Sequence, residues 1–147
     1  MLDEPTSALD ISVQAQVLNI LLDLQEEFEL TYLFISHDLK VVRYVSDRVA
    51  IMYLGKLMEI GPVEEVLRNP LHPYTQGLAS SSPPLTPHDR GRKRFLLSES
   101  SSSLIDLPAG CRLHPRCPHK LKTCETILPE LREQAPGHQV ACHRLSP

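Results

Sequence analysis

The 147-residue chain has no apolar run near the roughly 20 residues that a membrane-crossing helix needs. Its start also lacks the look of a secretory leader. Met1-Leu2 runs straight into Asp3-Glu4, where a leader would place a basic segment and then an apolar stretch. A cytosolic chain is the expectation. No charge excess is present: fifteen Lys+Arg against eighteen Asp+Glu give a net charge of −3, which argues against a general grip on nucleic acid. No G-x-x-x-x-G-K-S/T occurs, and the only Gly-Lys, Gly55-Lys56, is followed by Leu57. The loop that cradles phosphates in many nucleotide-binding proteins is therefore not in this sequence. The four cysteines include no C-x2-C pair, which argues against a thiol redox enzyme.

What is there suits one modest domain, or a small domain with an appendage. At 41% apolar and 22% charged residues the composition is that of an ordinary soluble protein. In a cytosolic chain the cysteines read as reduced or metal-bound before they read as disulfides.

The pattern changes near residue 80. Val13, Val17, Ile20, Leu21, Leu24 and Phe28 fall on one helical stripe, with Asp10 or Ser12 available as N-cap. Residues 31–36 are short, apolar and rich in β-formers, which predicts a buried strand. A loop at Ser36-His37-Asp38 leads to a short helix ending near Ser46. Residues 48–53 and 56–60 predict two strands joined near Gly55, and residues 62–68 a helix with proline in its first turn. Helix, strand, helix, hairpin and helix in that order suggest the end of an α/β domain. Residues 80–110 hold serine and proline runs around Arg90-Gly91-Arg92-Lys93-Arg94. So little apolar surface predicts a mobile linker, with the basic run solvated. Residues 111–147 carry all four cysteines and four of the seven histidines. They are too few to build a core without a staple.

Asp3-Glu4 admits two readings. At a strand end, one carboxylate suits water-mediated Mg²⁺ binding while its neighbour, facing the other way, polarises an attacking water. Alternatively the pair is an acidic surface dipeptide near a helix start. The surroundings add to this. Leu2-Asp3-Glu4-Pro5-Thr6-Ser7-Ala8-Leu9-Asp10 resembles the Walker B motif and D-loop of ABC ATPases. One helix and one strand later, Phe34-Ile35-Ser36-His37-Asp38 resembles their H-loop. The resemblance implies that Asp3 holds Mg²⁺ through water and that Glu4 is the general base. It implies that Ser7 and Asp10 reach towards a second ATP-binding subunit across a nucleotide-sandwich dimer. His37 would contact the terminal phosphate of ATP. The glutamine loop and the Leu-Ser-Gly-Gly-Gln signature of that family are absent from the sequence. The chain alone is therefore expected to show no ATPase activity, and the expected sheet is incomplete, with residues 31–36 leaving an apolar edge.

Asn69-Pro70-Leu71-His72-Pro73-Tyr74-Thr75-Gln76-Gly77-Leu78 resembles the segment that follows the ATPase core in dipeptide and oligopeptide importers. By local physics alone it is a capped helix end and a proline turn. The cysteines follow as C-x5-C-x6-C-x17-C at Cys111, Cys117, Cys124 and Cys142. That spacing resembles the C-terminal cysteine motif of the same importers, where four thiolates hold a [4Fe–4S] cluster. Zinc, with His143 or His114, and unliganded thiols or disulfides remain alternatives.

Together these resemblances imply the C-terminal part of an ABC-type P-loop ATPase domain at 1–79, a linker at 80–110 and a small irregular cysteine-rich domain at 111–147. The protein would sit on the cytoplasmic face of the cell membrane with two membrane-spanning permease subunits. It would couple ATP hydrolysis to uptake of peptides, with no nucleic-acid partner. The second reading is a remnant metal- or cluster-binding interaction module without ATPase function.

Overall fold

The structure, a computed structural model, describes residues 1–81, 95–98 and 106–145. The chain forms two compact units, Met1–Asp47 and Arg48–Pro147, with α/β architecture and two small sheets. Among the described residues no helix is long and apolar enough to cross a membrane. The basic run Arg90-Gly91-Arg92-Lys93-Arg94 and the serines at 100–103 lie outside the described residues.

In the first unit, β1 (Leu2–Asp3) and β2 (Phe34–Ile35) pair in parallel, Leu2 opposite Phe34 and Asp3 opposite Ile35. Helix α1 (Ile11–Glu27) connects them and α2 (Leu39–Val45) follows. The Asp10 carboxylate starts α1 by accepting from the amides of Ser12 and Val13, which satisfies two of the orphan donors at a helix start. At the other end, Glu29 takes a positive φ of 51°. The amide of Leu30 then reaches back to the carbonyl of Gln25 at 3.0 Å, a Schellman closure with glutamate where glycine is usual. The expected strand over 31–36 shortens to two residues. Extended backbone becomes a strand only where a neighbour completes the ladder, and β1 offers two residues. The expected apolar stripe of α1 is not a buried face: Val13, Ile20, Leu24 and Phe28 are exposed, while Leu18 is buried.

In the second unit, β3 (Arg48–Tyr53) and β4 (Lys56–Pro62) form the expected antiparallel hairpin. Val49, Ile51 and Tyr53 are buried on one face of β3 and alternate with exposed neighbours, the period-two pattern of a half-covered strand. The turn residues Leu54 and Gly55 both have positive φ, 44° and 74°, as a two-residue type I′ turn demands. Helix α3 (Val63–Arg68) buries Val63, Val66 and Leu67, the i, i+3, i+4 face. Where a proline turn was expected, Pro73 opens a further helix, α4 (Pro73–Ser81).

The segment after residue 110 lies within the second compact unit. It contributes 3₁₀ turns at His114–Arg116 and Lys122–Glu125, then β5 (Arg132–Ala135) and β6 (His138–Val140). The second sheet has the order β3-β4-β6-β5, all antiparallel. Met58, Val66, Leu67, Leu113 and Val140 are each at most 2% exposed and form its core. A segment too short to bury its own apolar surface thus borrows the hairpin's. The compact units divide the chain at Asp47–Arg48.

Candidate functional site

Parallel pairing brings the ends of β1 and β2 side by side, so whatever follows one strand lies beside whatever follows the other. Beyond Asp3 the chain bends sharply: Glu4 has a φ of 44°, a conformation that costs a non-glycine residue on the order of 1 kcal/mol and recurs at functional sites. Its amide still donates to the Ile35 carbonyl at 3.0 Å. Its side chain meets His37, with Nδ1 and Oε1 2.8 Å apart. The pair is open to solvent. The bond to Glu4 and then that carboxylate's charge hold the His37 pKa above its ordinary value, against slight desolvation, with Asp38 adding less. Asp38 caps α2 by accepting from the Lys40 amide at 2.8 Å.

Asp3 ends β1 and is exposed. The other loop residues act locally. The Ser7 hydroxyl donates to the Glu4 carbonyl at 3.1 Å. Asp10 caps α1, its Oδ1 3.1 Å from Ser12 N and 3.0 Å from Val13 N. Thr6, which the sequence did not single out, is buried and accepts from Gln14 Nε2 at 3.2 Å, tying the loop to α1.

The cysteines are gathered in the second unit. Cys111 and Cys124 are buried, Cys117 and Cys142 half-buried. Gly110 has a φ of 62°, and a Cβ there would lie 2.6 Å from the Cys124 carbonyl oxygen. That close approach lets the Cys111 amide donate to the same oxygen at 2.9 Å. Burial pushes the Cys111 thiol up to about 11, opposed by a backbone bond at Leu113 and reinforced by each of the other three thiols. Burial also raises Cys117 and Cys142, with the neighbouring thiols adding and Arg144 opposing. Each sulfur thus lies within electrostatic reach of the other three.

Even so, among the described residues no three His, Cys, Asp or Glu side chains form a group able to hold a single metal ion. Four thiolates on one zinc would place their sulfurs about 3.8 Å apart, from a Zn–S length of about 2.3 Å. Of the two histidines considered with zinc, His114 Nδ1 is 3.0 Å from the Cys111 carbonyl and His143 Nε2 is 2.8 Å from the Ile127 carbonyl.

A buried carboxylate on β4 escaped notice in the sequence. Glu59 is fully buried. Its Oε1 accepts from the Leu71 amide at 2.9 Å and pairs with His138 Nε2 at 2.7 Å, while Oε2 accepts from the His72 amide at 3.0 Å. Buried His72 has its pKa lowered to about 4 by desolvation, and its Nδ1 accepts from the Tyr74 amide at 3.1 Å. Glu59 therefore joins β4, the start of α4 and β6. No local pattern links positions 59, 72 and 138; only the histidine between two prolines hinted that this turn is specialised.

Comparison with known proteins agrees with these features. The family model described as "Oligopeptide/dipeptide transporter, C-terminal region" matches residues 58–124. The Oligopeptide transport ATP-binding protein AppF of Bacillus subtilis (strain 168) is 54% identical over 98% of this chain and 44% of its own length. The Di/tripeptide transport ATP-binding protein DppF of Pseudomonas aeruginosa (strain UCBPP-PA14) is 48% identical over 96% of the chain and 43% of its own length. The Dipeptide transport ATP-binding protein DppF of Escherichia coli (strain K12) is 48% identical over 95% and 41%. The chain thus spans less than half the length of these relatives. On the motifs, the matched C-terminal region and these identities, the chain corresponds to a part, less than half in length, of the ATP-binding subunits of oligopeptide- and dipeptide-type ABC transporters.

Proposed function

We propose that this chain supplies the hydrolytic loops and the C-terminal region of an ATP-binding subunit that drives peptide uptake. The observation that carries this is the 2.8 Å contact between Glu4 and His37 at the ends of two parallel strands. Phosphoryl transfer asks the protein for positioning and charge neutralisation more than for covalent chemistry. In this reading Glu4 orients and polarises the attacking water. His37 turns Nδ1 to Glu4, which favours the protonated ring and leaves Nε2 to donate to the terminal phosphate. An exposed carboxylate on a strand end fits water-mediated Mg²⁺, so Asp3 would hold that ion, whose role is to neutralise phosphate charge. Ser7 and Asp10 would face a second ATP-binding subunit. Two permease subunits would anchor the dimer on the cytoplasmic face of the membrane.

The 147 residues contain no phosphate-cradling loop and no Leu-Ser-Gly-Gly-Gln signature, so the chain alone is expected to turn over no ATP. Residues 1–79 would be the end of the ATPase domain, 80–110 a linker and 111–147 the cysteine domain. In this reading Cys111, Cys117, Cys124 and Cys142 would hold the [4Fe–4S] cluster that the resemblance implies. Such a cluster spreads its ligands more widely than one zinc ion does, and it would supply folding free energy to a core-poor segment. The second reading, a cluster- or zinc-binding module without ATPase function, draws support from the second unit's own well-buried core.

A chimera tests the first reading. Residues 1–147 replace the matching segment of the Bacillus subtilis AppF protein, and Mg²⁺-dependent ATPase activity and oligopeptide-dependent growth are measured. The chimera should be active, and Glu4→Gln should lower turnover by about a hundredfold or more. An active chimera indifferent to Glu4→Gln would refute the assignment.

A further inference from the structure

The loop between β1 and α1 buries one residue. Thr6 is 4% exposed, between half-buried Pro5 and exposed Ser7. A buried hydroxyl needs a hydrogen-bond partner, and here it is Gln14, whose Nε2 donates to Thr6 Oγ1. Gln14 begins the inward face of α1, which runs through Val17, Leu18, Leu21, Leu22 and Gln25, all buried or half-buried. Their spacing is that of one helical stripe, and Gln14 is its polar member at the end nearest the loop. Its own amide also donates to the Asp10 carbonyl at 2.8 Å. From Thr6 the bonds run back to Glu4. The Glu4 carbonyl accepts from the Ser7 amide at 3.2 Å and from the Ser7 hydroxyl at 3.1 Å, and the Thr6 carbonyl accepts from the Leu9 amide at 3.2 Å. On its other side, Glu4 is held through its amide by Ile35. A glutamate with a φ of 44° persists only where its surroundings over-determine it. The turns through Ser7 and Leu9 are local; the part-buried Thr6–Gln14 bond fastens them to a 17-residue helix.

We propose that Thr6 and Gln14 are positioning residues for Glu4, their hydrogen bond holding the loop so that the Glu4 carboxylate meets His37. This rests on the reading above that Glu4 and His37 act at the terminal phosphate of ATP. Neither Thr6 nor Gln14 touches the reacting atoms, so their effect runs through Glu4. A reacting group displaced by about 1 Å can lose roughly a hundredfold in rate. A purely structural bond makes a different forecast: its loss would lower stability and leave the Glu4–His37 contact as it was.

Thr6→Val removes the acceptor at similar size, Thr6→Ser keeps it, and Gln14→Leu removes the donor with a residue that favours helix. In the full 147-residue chain, NMR titration of His37 reads the contact without any activity. The Glu4 bond and charge, with Asp38 adding less, hold its pKa above 6.5. That pKa should fall towards 6.5 in Thr6→Val and Gln14→Leu and keep the wild-type value in Thr6→Ser. In the AppF chimera described above, kcat should fall about tenfold in the first two variants, with KM for ATP unchanged. The double variant should be no worse than either single, because both remove one shared bond. A wild-type His37 pKa in Thr6→Val and Gln14→Leu would overturn the positioning role, even with a lowered urea midpoint. A chimera slowed by Glu4→Gln but indifferent to both variants would overturn it too and leave the Glu4 assignment standing. A chimera indifferent to Glu4→Gln as well would overturn both.

Discussion

Glu59→Gln changes one atom at a fully buried site and should be costly. The native carboxylate faces three donors, the amides of Leu71 and His72 and the ring of His138. Glutamine keeps the shape but turns one acceptor oxygen into an NH₂ group. Set at the Oε2 position, that group meets the His72 amide; set at Oε1, it meets both Leu71 and His138. Either way a buried donor loses its acceptor and a new donor has none. An unsatisfied buried group costs about 1–3 kcal/mol, and a lost bond to a charged group about 1.5–3 kcal/mol, so a loss of about 2–4 kcal/mol is expected. With a urea slope of about 2 kcal/mol per molar, the midpoint should fall by about 1–2 M. Glu64→Gln is the control. Its carboxylate pairs with Arg68 at 2.8 Å on an exposed helix surface, and its loss should cost less than about 0.5 kcal/mol. If Glu59→Gln unfolded at the wild-type urea concentration, β6 and α4 would not be held to β4 by this carboxylate.

Three further outcomes are expected. Burial lowers the His72 pKa from 6.5 to about 4, so between those values the unfolded chain binds the extra proton. Stability from this group is therefore complete above about pH 6.5 and falls on acidification by about 3 kcal/mol near pH 4. Urea midpoints against pH should show the decline, and His72→Asn, whose carbonyl can still accept from the Tyr74 amide, should lose that share. NMR titration should find the His37 pKa above 6.5 in wild type and lower in Glu4→Gln, since the Glu4 bond and charge are its main causes. Glu29→Gly should raise the thermal midpoint, gaining up to about 1 kcal/mol by relieving a left-handed glutamate and removing an acidic group from a helix C-terminus; an unchanged or lower midpoint would contradict this.

Some of the molecule was written locally. Asp10 before a helical stripe marks the start of α1, and residues 48–60 alternate around Gly55, so cap and hairpin could be read from neighbours alone. The Glu4–His37 contact was legible through the motifs on either side of one helix and one strand. Other features depend on distant partners. The stripe on α1 signalled a helix but not what would cover it. Arg132-Glu133-Gln134-Ala135 has no apolar alternation and is exposed throughout. It becomes a strand because Pro136-Gly137, with φ of 70° at the glycine, turns the chain back and β6 pairs with β4. Glu59 looks like an ordinary strand residue until His138 and the turn at Leu71-His72 arrive around it.

The pairing of Glu59 with Val140 and of Ile60 with Gln139 has a consequence for synthesis. The partners lie some eighty positions apart, and closing such a loop is slow because its entropy is lost before any contact compensates. On the ribosome, hairpin β3–β4 can form early, yet its outer edge stays unpaired until residues 138–140 have emerged. During that interval the nascent chain offers a bare strand to other chains. Slower elongation between β4 and β6 would lengthen the exposure, and faster elongation there should shorten it.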